Sequence, residues 1–184
     1  MALLAAARRL FAERGYAGVG TEEIVREAGV TRGALYHHFH GKRELLAAVY
    51  EQIEAELAQD LADTLVPGAG VLDTLRGGAD SFLDKCLEPE VQQIVLLDAP
   101  AVLGWEQWRE IGARYGLGLI EALVRAGMES GEIREQPVTP LAHALLGALD
   151  EVAMLVARSE DPPATRAAVG ETVAGLIEAL APRR

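Results

Sequence analysis

The chain has little of what several protein classes depend on. Of 184 residues one is cysteine, Cys86, so an internal disulfide framework is excluded and the usage fits a reducing compartment. Aromatic residues make up 5% of the chain, and long β-branched runs are missing. Alanine and leucine dominate instead, a mix that favours helices over strands. There is no G-x-S-x-G elbow, no P-loop and no G-x-G-x-x-G following a strand, so no enzyme is expected. Neither H-E-x-x-H nor C-x-x-C spacing occurs, and neither a metal nor a cofactor is expected. The opening "MALLAAARRLF" sets its apolar run before the arginines, the reverse of a secretory signal. The most apolar stretch, "LAHALLGALDEVAMLVA", is interrupted by Asp150 and Glu151 and is short for a bilayer span. A cytoplasmic protein with no membrane partner is expected, long enough to bury a core in one or two domains.

Positive charge is scarce and unevenly placed. The formal net charge is −11. Up to Leu45 there are seven basic and five acidic side chains, a net +2; the remainder holds ten basic and 23 acidic ones, a net −13. A mildly basic head on an acidic body suggests a polyanion partner for the head alone, although an acidic surface that merely varies along the chain gives the same count.

Periodicity supplies the organisation. Leu3, Leu4, Ala7, Leu10 and Phe11 predict a first helix, ended by Gly15 and Gly18. Thr21 can cap a second helix, "EEIVREAGV", with Glu22 and Glu23 in its first turn. Gly29 stops it, and Val30 can pack into the turn that follows. Thr31 can cap a third, "RGALYHHF", which Gly41 ends. Two short helices joined by a tight glycine-containing turn have the layout of a helix-turn-helix. On spacing alone an ordinary αα-hairpin fits equally. A long helix follows from Lys42, with Leu46, Val49, Ile53, Leu57, Leu61 and Leu65 on one face, up to the break "VPGAG". Further helices are predicted over Val71–Leu87, Glu90–Leu97, Trp105–Met128, Leu141–Ala157 and Ala164–Leu180. The expected fold is all-α, with a three-helix head over residues 1–45 and a helical body over 46–184.

Three of the four histidines, His37, His38 and His40, fall within "TRGALYHHFHGKREL". His37 and His40 could share a helix face, but a third metal ligand would have to come from far away in sequence. DNA suits every position better. Leu35 and Phe39 should point inward. Arg32 can reach a base edge or a phosphate, and Gly33 and Ala34 leave room for close approach and for a thymine methyl. Tyr36, His37 and His38 can donate to phosphates. Lys42, at the start of the next helix, completes an anion site.

"FAERGYAGVGTEEIVREAGVTRGALYHHFHGKREL", Phe11 to Leu45, resembles the DNA-binding head of the tetracycline-repressor (TetR) family. The features that carry the resemblance are the aromatic followed by Gly-Tyr, "TEEIVREAGV", the "GALYHHF" helix and "GKREL". "LLDAPAVLGWEQWREIGARYG", Leu96 to Gly116, is similar to a segment of some actinobacterial members. The resemblance implies a homodimeric transcriptional regulator on a palindromic double-stranded operator, usually a repressor released by a small-molecule effector. Activation, or response to a protein partner, is the alternative on the same fold; a helical carrier or enzyme is the alternative of another class. By the motif match, Arg32, Gly33, Ala34, Tyr36 and His37 face the groove, while Thr21, Tyr36, His38 and Lys42 meet phosphates, with Thr31 opening the reading helix. Family members usually carry several residues, often basic, before the first helix; here the apolar face begins almost at Met1, so that arm is absent or was not included, and its minor-groove or extra phosphate contact stays open.

In the body, Leu141–Ala157 is apolar on nearly all sides, so one side can face its own chain and another a partner. Leu141, Leu145, Leu149, Val152 and Val156, with Val169, Val173, Leu176 and Leu180 of the last helix, are the expected dimer interface; simple burial within one chain is the other reading. Phe82, Cys86, Asp98, Trp105, Trp108, Tyr115 and His143 could line an apolar pocket with a few polar anchors, or fill the core.

Overall fold

The computed structural model describes residues 2–63 and 68–182. Among these residues the chain forms nine α-helices and one π-helical segment, and no strand. The helices are α1 (Ala2–Arg14), α2 (Thr21–Glu27), α3 (Arg32–His38), α4 (Lys42–Asp63), α5 (Val71–Lys85), α6 (Ala99–Leu103), α7 (Trp105–Glu129), α8 (Val138–Ala157) and α9 (Pro162–Glu178); the π-helical segment is Val91–Asp98. The expected last apolar position of the long helix, Leu65, and the first residues of the break, Val66 and Pro67, lie outside the described residues. The helix expected over Glu90–Leu97 is the π-helical segment running directly into α6. Apolar periodicity reports burial and does not distinguish an i→i+4 ladder from an i→i+5 one.

The chain divides into two compact units. One joins Met1–Ala55 with Glu88–Ile111; the other joins Glu56–Leu87 with Gly112–Arg184. In the first, α1 buries Leu3, Ala6, Ala7, Leu10 and Phe11 and packs against α2 and the π-helical segment. Gly15, at φ +69°, turns the chain out of α1, a conformation open to glycine at little cost. The first half of α4 is buried at Leu45, Leu46, Val49, Tyr50 and Ile53.

In the second unit α9 packs against both α5 and α8. Leu75, Ala79, Ile133, Val173, Ile177 and Leu180 form one apolar cluster, with Leu141, Leu145, Leu149 and Val152 packed on it. Glu132 caps α5 from a distance: its carboxylate accepts the Val71 N–H at 2.7 Å, because Gly70 at the N-cap offers no side chain to do so. Arg166 of α9 donates to Asp84 at 2.7 Å and Asp80 at 3.0 Å on α5. Helix α8 is longer than expected. Its best 18-residue window has a mean hydropathy of 1.4, which matches a membrane span by composition, and only 22% of that window is buried within the chain. Its seat on the apolar cluster is that of a bundle helix with an unpartnered side.

Candidate nucleic-acid interface

The joint between α2 and α3 is made by local backbone bonds. Gly29, at φ +65°, donates to Arg26 O at 3.2 Å, and Val30 N donates to Val25 O at 3.2 Å. This is a Schellman turn, which a residue with a side chain would strain. Thr31 then caps α3, its Oγ1 accepting the Ala34 N–H at 3.2 Å. Such a cap is worth about 1 kcal/mol. Thr21 takes a different place from the one expected. It is the first residue of α2, and Gly20 holds the N-cap with no side-chain bond; Glu22 and Glu23 alone serve that first turn. Each helix is anchored by one fully buried residue, Ile24 on α2 and Leu35 on α3.

The outer side of α3 is free of internal packing duties. Arg32, Gly33, Tyr36, His37 and His38 are exposed, Ala34 is half-buried, and Tyr36 is 46% exposed. Arg32 lies 3.4 Å from Glu22 and over the Tyr36 ring at 5.5 Å. A pair this exposed is worth at most about 1 kcal/mol, so Arg32 can exchange it for a phosphate or a base edge. The His37 and His38 rings meet edge to face at 5.0 Å. A Cβ at Gly33 would meet only Thr31 Oγ1, at 3.8 Å. Nothing inside the chain requires glycine there, although helical glycine costs roughly 0.5–1 kcal/mol against alanine.

Lys42 is differently engaged from the free ammonium the sequence suggests. Its Nζ donates to Tyr16 O at 2.7 Å and Val19 O at 2.8 Å and sits 3.9 Å from the centre of the Tyr16 ring. Burial pushes its pKa below the ordinary lysine value, and the charge of Asp98 opposes that shift. It ties the α1–α2 turn to the start of α4. Beside it, the Glu44 carboxylate accepts the His40 backbone N–H at 2.6 Å and lies 2.9 Å from the His40 ring. The backbone bond and then the ring bond hold that carboxyl below its ordinary pKa. Among the described residues no three His, Cys, Asp or Glu side chains come together to hold a metal.

The seven residues expected around a pocket divide between the two units. Asp98, Trp105 and Trp108 belong to the first; Phe82, Cys86, Tyr115 and His143 belong to the second. Asp98 accepts the Tyr16 N–H at 2.7 Å. Trp108 is buried, its indole N–H donating to Val95 O at 2.9 Å, while Tyr50 OH donates to Trp108 O at 3.1 Å. Trp105 is 57% exposed, with its ring 5.0 Å from that of Trp108. Cys86 is buried, Phe82 and Tyr115 are half-buried and His143 is exposed. Of the residues expected at a dimer interface, Val156, Val169, Val173 and Leu180 are buried inside their own chain, and Leu176 is 50% exposed. Leu155, at 55%, is an exposed leucine that the interface set omitted; apolar neighbours on every side of α8 hid it.

Two short helices at a glycine turn, the second capped, anchored by one leucine and presenting a polar outer side, define a helix-turn-helix DNA-binding protein. Residues 3–49 match the family described as "Bacterial regulatory proteins, tetR family", and residues 72–180 match "Tetracyclin repressor-like, C-terminal domain". A solved TetR-family transcriptional regulator from Pectobacterium atrosepticum is 36% identical and superposes with a TM-score of 0.86, over 98% of this chain and 93% of that one. The transposon Tn10 TetC protein of Escherichia coli is 29% identical over 79% of this chain and 73% of its own length. The regulator LmrA of Bacillus subtilis (strain 168) is 39% identical, over 59% of this chain and 60% of its own length. The chain belongs to the TetR family and is a DNA-binding transcriptional regulator.

Proposed function

We propose that this regulator is a homodimeric repressor that holds a palindromic operator and is released by a small molecule bound in its helical body. In this reading residues 1–45 read DNA and residues 46–184 bind the effector and dimerise, in the cytoplasm and without catalysis. The observation that carries the DNA side is the outer side of α3. Arg32, Tyr36, His37 and His38 are turned outward there, beside a helical glycine that the chain's own packing does not use. Arg32, Gly33, Ala34, Tyr36 and His37 meet base edges, and Thr21, Tyr36 and His38 meet phosphates. Lys42 acts by holding the α1–α2 turn. Two such helices must lie a whole number of helical turns apart to read two half-sites. A second copy on the exposed side of α8 and α9, around Leu155 and Leu176, supplies the pairing. For the effector, the half-buried Phe82 and Tyr115 and the buried Cys86 are the candidate apolar members of a site in the body, and His143 its candidate polar member. A ligand releases DNA only to the extent that it binds one arrangement of the dimer better than the other.

The test is selection of bound fragments from a genomic library by purified protein at stated salt. A recovered palindrome is the expected result; no enrichment from a folded dimer would sink the reading. On the recovered site, Arg32→Ala should erase about 1–3 kcal/mol of preference at one symmetric pair of positions, read by repeating the selection with the variant.

A further inference from the structure

The segment that ends at α6 touches the head through polar atoms at three places. At its start, Glu90 takes a two-pronged bond from Arg8 of α1, at 2.8 and 2.7 Å. At its end, the C-terminal carbonyls of α6, which have no partner within that helix, accept from Arg43 of α4: Leu103 O at 2.9 Å and Val102 O at 3.3 Å. Between them Asp98, the last residue of the π-helical segment, accepts the Tyr16 N–H at 2.7 Å. π-Helical geometry is rare, and its usual single-turn form is frequent at functional sites. This segment delivers a carboxylate to a backbone amide 82 residues earlier in the chain. The fit there is close: a Cβ on Gly15 would stand 3.1 Å from Gln93 Nε2 and 3.7 Å from Asp98 Oδ2.

Tyr16 is held from both sides. Its N–H is taken by Asp98 and its carbonyl by Lys42, which also takes Val19 O. Val19 is followed directly by Gly20, the N-cap of α2. The direction in which α2 leaves this turn sets the direction of α3, since the Schellman turn at Gly29 joins the two with little freedom.

We propose that Asp98 is a positioning residue for DNA reading: by accepting the Tyr16 amide it fixes the α1–α2 turn, and through it the angle at which α3 is presented. It touches no DNA itself, and the proposal rests on the reading of α3 as the recognition helix. Because the acceptor lies in the segment that leads into α7, this bond is where a rearrangement of residues 91–103 would change the presentation of the head.

The experiment uses the full chain, the DNA site recovered by selection, and an unrelated duplex of equal length. Asp98→Asn keeps an oxygen for the Tyr16 N–H; Asp98→Leu keeps bulk and removes the acceptor. Asn should preserve the ratio of specific to non-specific affinity within about three-fold, and Leu should lower it by about ten-fold or more, the worth of one charge-assisted hydrogen bond. Faster hydrogen exchange at the Tyr16 amide should accompany the loss in Leu. Should Asp98→Leu be unfolded at the assay temperature, Asp98→Ser, too short to reach the amide, is read in its place with the same expectation. An unchanged ratio in the acceptor-free variant, or an Asn variant as impaired as it, overturns the proposal. No site preference in the unmodified protein overturns the DNA reading together with it.

Discussion

Both compact units bury an apolar interior; they differ in the polar bonds laid over it. In the unit carrying the head, backbone groups far apart in sequence are joined by buried or half-buried polar side chains: Lys42 on two carbonyls, Asp98 on an amide, Tyr50 on Trp108 O and Trp108 on Val95 O. In the other, three apolar clusters of Leu, Val, Ile and Ala side chains fill the interior. Its long-range ion pairs, such as Arg166 with Asp80 and Asp84, involve acids that are 48% and 68% exposed. Hydrogen bonds fix distances and directions, whereas apolar contacts tolerate repacking at constant volume. A unit that must present one helix at one angle adds the directional kind to its apolar core. A body that accommodates a ligand or a second copy is better served by the kind that can adjust.

The sharpest break of this contrast is at the one buried anchor of the reading helix. Leu35→Ala should cost about 2–5 kcal/mol in denaturant unfolding and abolish specific DNA binding. Without that side chain the polar ties around it cannot keep α3 in place, and full binding by a stable variant would count against the anchor role. Next, placing acids on the exposed side of the body, Leu155→Glu with Leu176→Glu, should raise the dimer dissociation constant about a hundred-fold, seen by sedimentation, and leave each chain folded. An unmoved dimer would put its interface elsewhere. A paired comparison then weighs the two chemistries directly. Tyr50→Phe removes the hydroxyl that Trp108 O accepts in addition to its helical bond and should cost about 0.5–1.5 kcal/mol, while Leu83→Met in the body conserves volume and should cost less than that. Equal costs would erase the contrast.

The smallest effect concerns pH. Glu44 is held by His40 below its ordinary pKa, so its folded value lies under its unfolded one. The stabilisation is therefore present above the ordinary carboxylate value of about 4.3 and is lost as pH falls through the folded value. Glu44→Gln should lower thermal stability slightly at pH 7, where the stabilisation is present, and flatten the acid limb in that window so that the two proteins converge at low pH. A variant as acid-sensitive as the unmodified protein would show that the His40 contact carries no linkage.

Much of the head was legible because its signals are local. Thr31 and Ala34 are three residues apart, and Gly29 marks its turn through the φ it requires. Thr21 misled because Gly20, one residue earlier, takes the cap without a side chain. The bonds of Lys42 and Asp98 are not legible in the sequence because their partners, Tyr16 and Val19, are 23 to 82 residues away, beyond any periodicity. The π-helical geometry leaves no mark on apolar spacing. In the body, α8 reads as buried on all sides, and only the packing of Leu141, Leu145 and Leu149 against their own cluster shows which side is left for Leu155.

The bond between Asp98 and Tyr16 also has a meaning in time. A ribosome adding about 5–20 residues per second needs roughly 4–16 s to pass from the amide to the carboxylate that receives it, 82 residues later. From His38, the end of α3, 60 residues remain, roughly 3–12 s at that rate, during which the nascent chain carries its reading helix ahead of Asp98. The head is therefore synthesised first and finished late, and a truncated product ending before Asp98 would contain all of α3 with the Tyr16 amide still unclaimed by it.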